Sequence, residues 1–319
     1  MKFKAYNEKS FLRSEYFDRL PDQQQRDFRL LTQVFPFRVN EFVLEHLINW
    51  DRVPEDPVFR ILFPTPEMVS PADYGFLNSM YELNLPRSSM DQMIDDITAR
   101  AAPRHLASPT SRAFLNGQQI QGMYNTFRTD LSLFPAPMAI TCHSYCNYCF
   151  RWNKFGKRNL QQATSYQDPH TPVPWLMANP QVSDVLLTGA DPMISSAAVL
   201  RKFIEPLLAV PSVKSISIST KSLSWWPFRY TQQQDADELL RLFDEVVSTG
   251  KHLNIPAHIT LPLELVHPEV ENAARRILQT GANIRTQGPI LKGVNDRIDI
   301  WSSMWDRQVQ LGMVPYYMF

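Results

Sequence analysis

From residue 185 onward the chain repeats one beat, a short apolar segment followed by a stretch with helical periodicity. Val185-Leu186-Leu187-Thr188-Gly189, Ser215 to Thr220, Asn254 to Thr260, Asn283 to Ile290 and Met313 to Met318 read as strands bounded by turn residues. Pro137-Met138-Ala139-Ile140-Thr141 reads as one more strand ahead of them. Asp235 to Phe243 and Glu269 to Leu278 carry apolar residues at helical spacing. Strands that alternate with helices are joined by crossovers, so their sheet is parallel and the fold class is α/β. Six such units predict a partial (β/α)6 barrel and are too few for a closed eight-stranded one.

The first 130 residues lack this beat. Asp22 to Phe35, Val39 to Ile48 and Ser88 to Ala101 read as helices, and Trp50-Asp51-Arg52-Val53-Pro54-Glu55-Asp56-Pro57 breaks the pattern. The expected organisation is a helical N-terminal extension over 1–130 and a partial barrel over 131–319. Apolar content of 44% against 20% charged residues excludes a disordered chain. Lys+Arg and Asp+Glu both number 32, so no net field draws the protein to nucleic acid or to an anionic membrane. The N-terminus lacks an apolar signal core and no run reaches transmembrane length.

All three cysteines fall in Cys142-His143-Ser144-Tyr145-Cys146-Asn147-Tyr148-Cys149, a C-x3-C-x2-C run. Disulfide pairing would leave one thiol over. A structural zinc site wants four protein ligands; one that borrows His143 needs adjacent residues to share an ion in poor geometry. A [4Fe–4S] cluster on three thiolates fits the count and leaves its fourth iron open to a small molecule. Thiols kept for one ligand set suit a reducing cytoplasm.

In parallel α/β folds the working residues gather beyond the carboxyl ends of the strands. The cysteine loop follows the first expected strand, and Thr188-Gly189-Ala190-Asp191-Pro192 follows the second. Arg151, two residues past Cys149, is placed to grip a carboxylate through a bidentate fork, or to pair with a neighbouring acid. Tyr145, Tyr148, Phe150 and Trp152 either screen the loop from water or serve as ordinary core aromatics.

The cysteine spacing resembles that of the radical S-adenosylmethionine (SAM) enzymes. Further segments sharpen this to a resemblance to the lysine 2,3-aminomutase family: Trp50 to Pro57, Phe59-Arg60-Ile61-Leu62-Phe63-Pro64, Thr188 to Pro192, Thr286-Gln287, Gly293-Val294-Asn295-Asp296 and Pro315-Tyr316-Tyr317. The resemblance implies a radical SAM barrel with Cys142, Cys146 and Cys149 on a [4Fe–4S] cluster. It implies that Gly189, Ala190, Asp191 and Pro192 border SAM, with Ala190 replacing a second glycine. Arg151 would hold the amino acid carboxylate and Asp296 a distal ammonium, although Asp296 reads equally well as a turn or cap residue. The implied activity starts from a 5′-deoxyadenosyl radical and moves an amino group from C2 to C3 of lysine or a similar amino acid, free or protein-bound. Pyridoxal 5′-phosphate (PLP) and a reductant such as flavodoxin or ferredoxin would assist, and a homo-oligomer is compatible.

Three departures temper the match. The family's PLP lysine lies in a C-terminal segment that this chain does not reach, which reads as truncation of a longer protein; Lys221 and Lys292 do not correspond to it. An arginine-bearing segment upstream of the cysteines is replaced by Asn125-Thr126-Phe127-Arg128-Thr129-Asp130. The family's His-Phe-Asn-His-Pro becomes His258-Ile259-Thr260-Leu261-Pro262. These leave open a PLP-independent radical SAM enzyme and an inactive iron–sulfur or zinc-binding partner protein.

Overall fold

A computed structural model of the chain describes residues 2–83, 88, 90–102, 111–155 and 165–319. Contacts divide the chain into two compact units, residues 107–143 with 163–319, and residues 3–106 with 144–162.

The second of these units begins with a two-stranded antiparallel pair, β1 (Ala5–Asn7) and β2 (Arg38–Asn40). Its helices include Asp22–Leu31, Glu41–His46, Pro57–Leu62, Pro71–Glu82 and Asp91–Ala101. Position 89, inside the expected helix from Ser88, lies outside the described residues. Phe11, Phe28, Phe37 and Phe63 pack as one aromatic cluster, with Phe28 edge-on to Phe37 at 4.7 Å between ring centres. Such pairs add about 0.5–1.5 kcal/mol beyond the area they bury.

The other unit is built on an eight-stranded sheet. Its strands are β3 (Arg112–Leu115), β4 (Gln118–Tyr124), β5 (Asp130–Leu133), β6 (Asp184–Leu187), β7 (Ser215–Ile218), β8 (His252–His258), β9 (Asn283–Gly288) and β10 (Val314–Met318). They lie side by side in chain order, and every pair from β5 to β10 is parallel. Six parallel strands in an open sheet are the partial (β/α)6 barrel that the sequence predicts. The helices Ala236–Ser248 and Pro268–Gln279 bury Leu239, Leu242, Phe243 and Val246, and Val270, Ala273, Ala274 and Ile277, at helical spacing. Each fully buried leucine or isoleucine contributes about 1.5–3 kcal/mol.

Two expectations need correction. Pro137 to Thr141 is not a strand: Ala136–Met138 forms a 3₁₀ turn, and the first parallel strand is β5, ending at Leu133. Pro135 and Pro137 lack the N–H groups a ladder needs, so the apolar run packs its side chains without extending the sheet. Met138 and Ala139 are accordingly buried. The expected boundary at residue 130 is also displaced. The β3–β4 hairpin pairs with β5 and joins the sheet unit from residue 107, whereas residues 144–162 join the N-terminal unit.

Candidate active site at the carboxyl ends of the strands

The division between the units falls inside the cysteine loop, between His143 and Ser144. On the N-terminal side of the loop, the chain leaves β5, turns through Ala136–Met138 and reaches Cys142. The turn after β6 meets this stretch backbone to backbone. Ala190 N–H donates to the Met138 carbonyl (3.1 Å) and Asp191 N–H to that of Thr141 (3.3 Å). Gly189 makes the approach possible. Its φ is +131°, and a Cβ there would lie 3.0 Å from both Cα and Cβ of Ala139.

Asp191 is 4% exposed and its carboxylate faces inward. Oδ1 accepts from Thr220 Oγ1 (2.7 Å) and Met193 N (3.0 Å), and Oδ2 from Lys221 N (3.0 Å). His143 Nδ1 lies 3.5 Å from Oδ2, at ion-pair rather than hydrogen-bond range. Burial alone would raise the Asp191 carboxyl; His143, Thr220 and the Lys221 N–H together outweigh it and hold the group below the usual range. The network continues from Thr220 to Ser222 and on to Tyr230, with links of 2.7 and 2.8 Å. The Asp191 carboxylate is thus used inside the turn's own hydrogen-bond network.

Lys221 and Glu264 form a separate buried pair. Lys221 Nζ donates to Glu264 Oε2 (2.9 Å), Thr260 Oγ1 (3.0 Å) and the His258 carbonyl (3.2 Å). The other oxygen of Glu264 accepts the N–H groups of Thr260 and Leu261. His258, at the end of β8, has its imidazole pushed down to about 3, by burial first and by the nearby Lys221 ammonium second.

In the N-terminal unit, Ser144 to Cys149 are anchored by backbone. Asn40 donates its N–H and Nδ2 to Ser144 Oγ (2.9 and 3.0 Å), and Tyr145 N–H donates to Arg38 O (2.8 Å). Asn147 N–H donates to Ile61 O (2.9 Å) and its side chain to Arg60 and Phe63 carbonyls. Cys149 packs against a core that includes Trp152, whose ring meets Phe35 at 4.8 Å. Burial pushes the Cys149 thiol up, while the Arg151 N–H, 3.4 Å from Sγ, and the charge of Arg151 oppose it. Trp152 is thus a core residue, whereas Phe150 is 62% exposed.

The three half-buried thiols form no disulfide. Among the described residues, no group of three or more His, Cys, Asp or Glu side chains is gathered closely enough to hold a metal ion. The donor chemistry still suits an iron–sulfur cluster: three thiols, with an N–H directed at one sulfur. PLP finds no such fit at the two lysines noted above, since Lys221 is locked in its ion pair and Lys292 stands exposed in a turn.

Asp296 is exposed, and its neighbour Asn295 holds the Gly293–Asp296 turn. Asn295 Oδ1 accepts from Leu291 N (2.6 Å), and Nδ2 donates to the carbonyls of Thr260 and Pro289 (both 2.9 Å). Sequence reasoning missed the inward roles of Asn295, Thr220, Ser222, Tyr230 and Glu264. The polar run Ser219-Thr220-Lys221-Ser222, directly after an apolar strand, was the available signal.

No family model matches the chain. It is similar to a protein of Aquifex aeolicus described as "Putative L-lysine 2,3-aminomutase", 27% identical over 305 residues, covering 96% of this chain and 70% of that one. An L-lysine 2,3-aminomutase of Fusobacterium nucleatum is 26% identical over 178 residues, 56% of this chain and 39% of that one. A glutamate 2,3-aminomutase of Clostridioides difficile is 23% identical over 181 residues, again 56% and 39%. The chain thus spans well under half the length of these last two relatives.

Proposed function

The chain belongs to the lysine 2,3-aminomutase family, and from that premise we propose that it is a radical SAM enzyme of the isomerase kind, moving an amino group from C2 to C3 of lysine or a similar amino acid. What supports this reading above all is that two motif loops, the one bearing Cys142 and the Gly189–Pro192 turn, stand at the same end of adjacent parallel strands and are hydrogen-bonded together. Cys142, Cys146 and Cys149 would ligate a [4Fe–4S] cluster and leave one iron for SAM. When bound, the cluster and SAM supply the reductive carbon–sulfur cleavage that yields a 5′-deoxyadenosyl radical.

This chain's own residues bind and orient. The carbonyls of Gly189 and Ala190 would face the methionyl ammonium of SAM, with Asp191 and Pro192 shaping the turn. Arg151 would hold the substrate carboxylate in its planar fork, and Asp296 a distal ammonium. Neither Lys221, held in its ion pair, nor the exposed Lys292 suits PLP. The substrate is a free amino acid or a lysyl protein, the electron donor a flavodoxin or ferredoxin, the compartment the cytoplasm. Among the described residues no helix is long and apolar enough to cross a membrane.

Anaerobic reconstitution tests the reading. The protein should take up about four irons and four sulfides per chain. It should cleave SAM and, given lysine or glutamate, yield the β-amino isomer. Alanine at Cys142, Cys146 or Cys149 should abolish SAM cleavage, and turnover by Cys146→Ala would refute the ligand assignment. SAM cleavage with no β-amino product would favour PLP-independent hydrogen abstraction, prompted by the altered Asn125 to Asp130 segment. Zinc without sulfide, or a cluster that leaves SAM intact, would mark an inactive partner protein.

A further inference from the structure

The turn after β6 and the stretch before Cys142 are already joined by two backbone hydrogen bonds, at Met138 and Thr141. Both ties lie upstream of the first cysteine. One residue past Cys142, the His143 side chain is 4% exposed and its Nδ1 faces Asp191 Oδ2 at 3.5 Å. The three other groups on the Asp191 carboxylate are neutral donors, a hydroxyl and two backbone N–H groups. The Lys221 side chain is directed to Glu264. The imidazole Nδ1 adds a fourth polar group facing the same carboxylate.

Cys142 is therefore bracketed, by backbone ties before it and by a side-chain contact after it, all to the same turn. We propose that His143 and Asp191 are a positioning pair that fixes the first cluster ligand relative to the Gly189–Pro192 turn, so that a sulfonium ligand at the open iron is held in one orientation. The inference rests on the reading under Proposed function. It assigns Asp191 a role behind the ligand-facing surface: the carboxylate holds the loop that holds the thiolate.

The chemistry of the contact selects the test. An asparagine side chain can put its Nδ2 close to the place of imidazole Nδ1, whereas glutamine reaches toward Nε2 and alanine reaches neither. The full chain is reconstituted anaerobically as wild type, His143→Asn, His143→Ala and His143→Gln. Iron and sulfide are counted, SAM affinity is measured, and the electron paramagnetic resonance spectrum of the reduced cluster is recorded with and without SAM. All four proteins should hold the cluster. Wild type and His143→Asn should show the same SAM-induced spectral change, while the Ala and Gln variants need about 10–100 times more SAM or lose the change.

The pair is refuted if His143→Ala matches wild type within about twofold, or if His143→Asn behaves like His143→Ala. Loss of the cluster itself in the Ala and Gln variants also refutes it, because His143 would then serve metal uptake or folding. Failure of the underlying reading looks different: wild-type protein would then carry no cluster, or carry one that does not respond to SAM.

Discussion

Two turns at the same end of one sheet carry a glycine and a nearby aspartate, and they use that aspartate in opposite ways. After β6, Asp191 points inward, is 4% exposed and accepts from Thr220, Met193 and Lys221. After β9, Asp296 is exposed, and Asn295, 0% exposed, does the inward work. The local hydrogen-bonding demand explains the difference. The first turn presents only donors, which an acceptor-only carboxylate satisfies. The second presents one N–H and two carbonyls, which call for an amide that both accepts and donates. The residue that builds a strand-end turn and the residue that can meet a ligand are thus different side chains, and sequence neighbours can divide the two roles.

The largest expected effect breaks the inward member. Asp191→Ala strips the N–H groups of Met193 and Lys221 of their buried acceptor and removes the carboxylate facing His143. Each unsatisfied buried group costs about 1–3 kcal/mol. Urea unfolding of the metal-free protein should therefore show a loss of about 2–6 kcal/mol for the two stranded N–H groups together. A loss below about 1 kcal/mol would place Asp191 with Asp296 and end the contrast.

Much of this was legible in the sequence, and the gaps have physical causes. Ser215 to Ile218 alternates buried and half-buried residues, and the helix of Ala236–Ser248 keeps its 3.6-residue stripe, so periodicity located both. The hairpin of β3 and β4 was missed even though Asn116 and Gly117, with φ of +52° and +78°, form its turn. Asn-Gly is a strong hairpin signal, but Gln118, Gln119 and Gln121 blur the alternation that would confirm it. The cysteine run was legible because its spacing is local. The network from Asp191 through Thr220 and Ser222 to Tyr230 was not, because Asp191 follows β6 while the other three lie beyond β7, and only the folded sheet brings them together.

A third strand end sharpens the comparison with a base in place of an acid. His258 closes β8 with its imidazole held at about 3, against an ordinary value of 6.5. The unfolded chain takes up this proton as pH falls below 6.5, whereas the folded chain resists until about 3. The contribution of neutral His258 to stability is thus present in full above 6.5 and lost progressively between 6.5 and 3. The slope is at most about 1.4 kcal/mol per pH unit. Unfolding midpoints of wild type and His258→Asn at neutral and mildly acid pH should diverge in slope. Parallel curves would mean that the imidazole titrates alike in both states.

The smallest effect belongs to the outward member. Asp296→Asn removes a charge from an exposed side chain while the turn stays on Asn295, so stability should change by less than about 0.5 kcal/mol. An exposed carboxylate that pairs with a substrate ammonium contributes about 0.2–1 kcal/mol, so amino acid binding should weaken by no more than about fivefold. Unfolding curves and substrate titrations on one preparation read the two quantities separately. If Asp296→Asn costs as much stability as Asp191→Ala, its carboxylate is a structural member of the turn, and the division of labour between Asn295 and Asp296 is wrong. If stability holds and binding falls, the two turns differ as their hydrogen bonds require: Asp191 acts through the loop it secures, and Asp296 by direct contact.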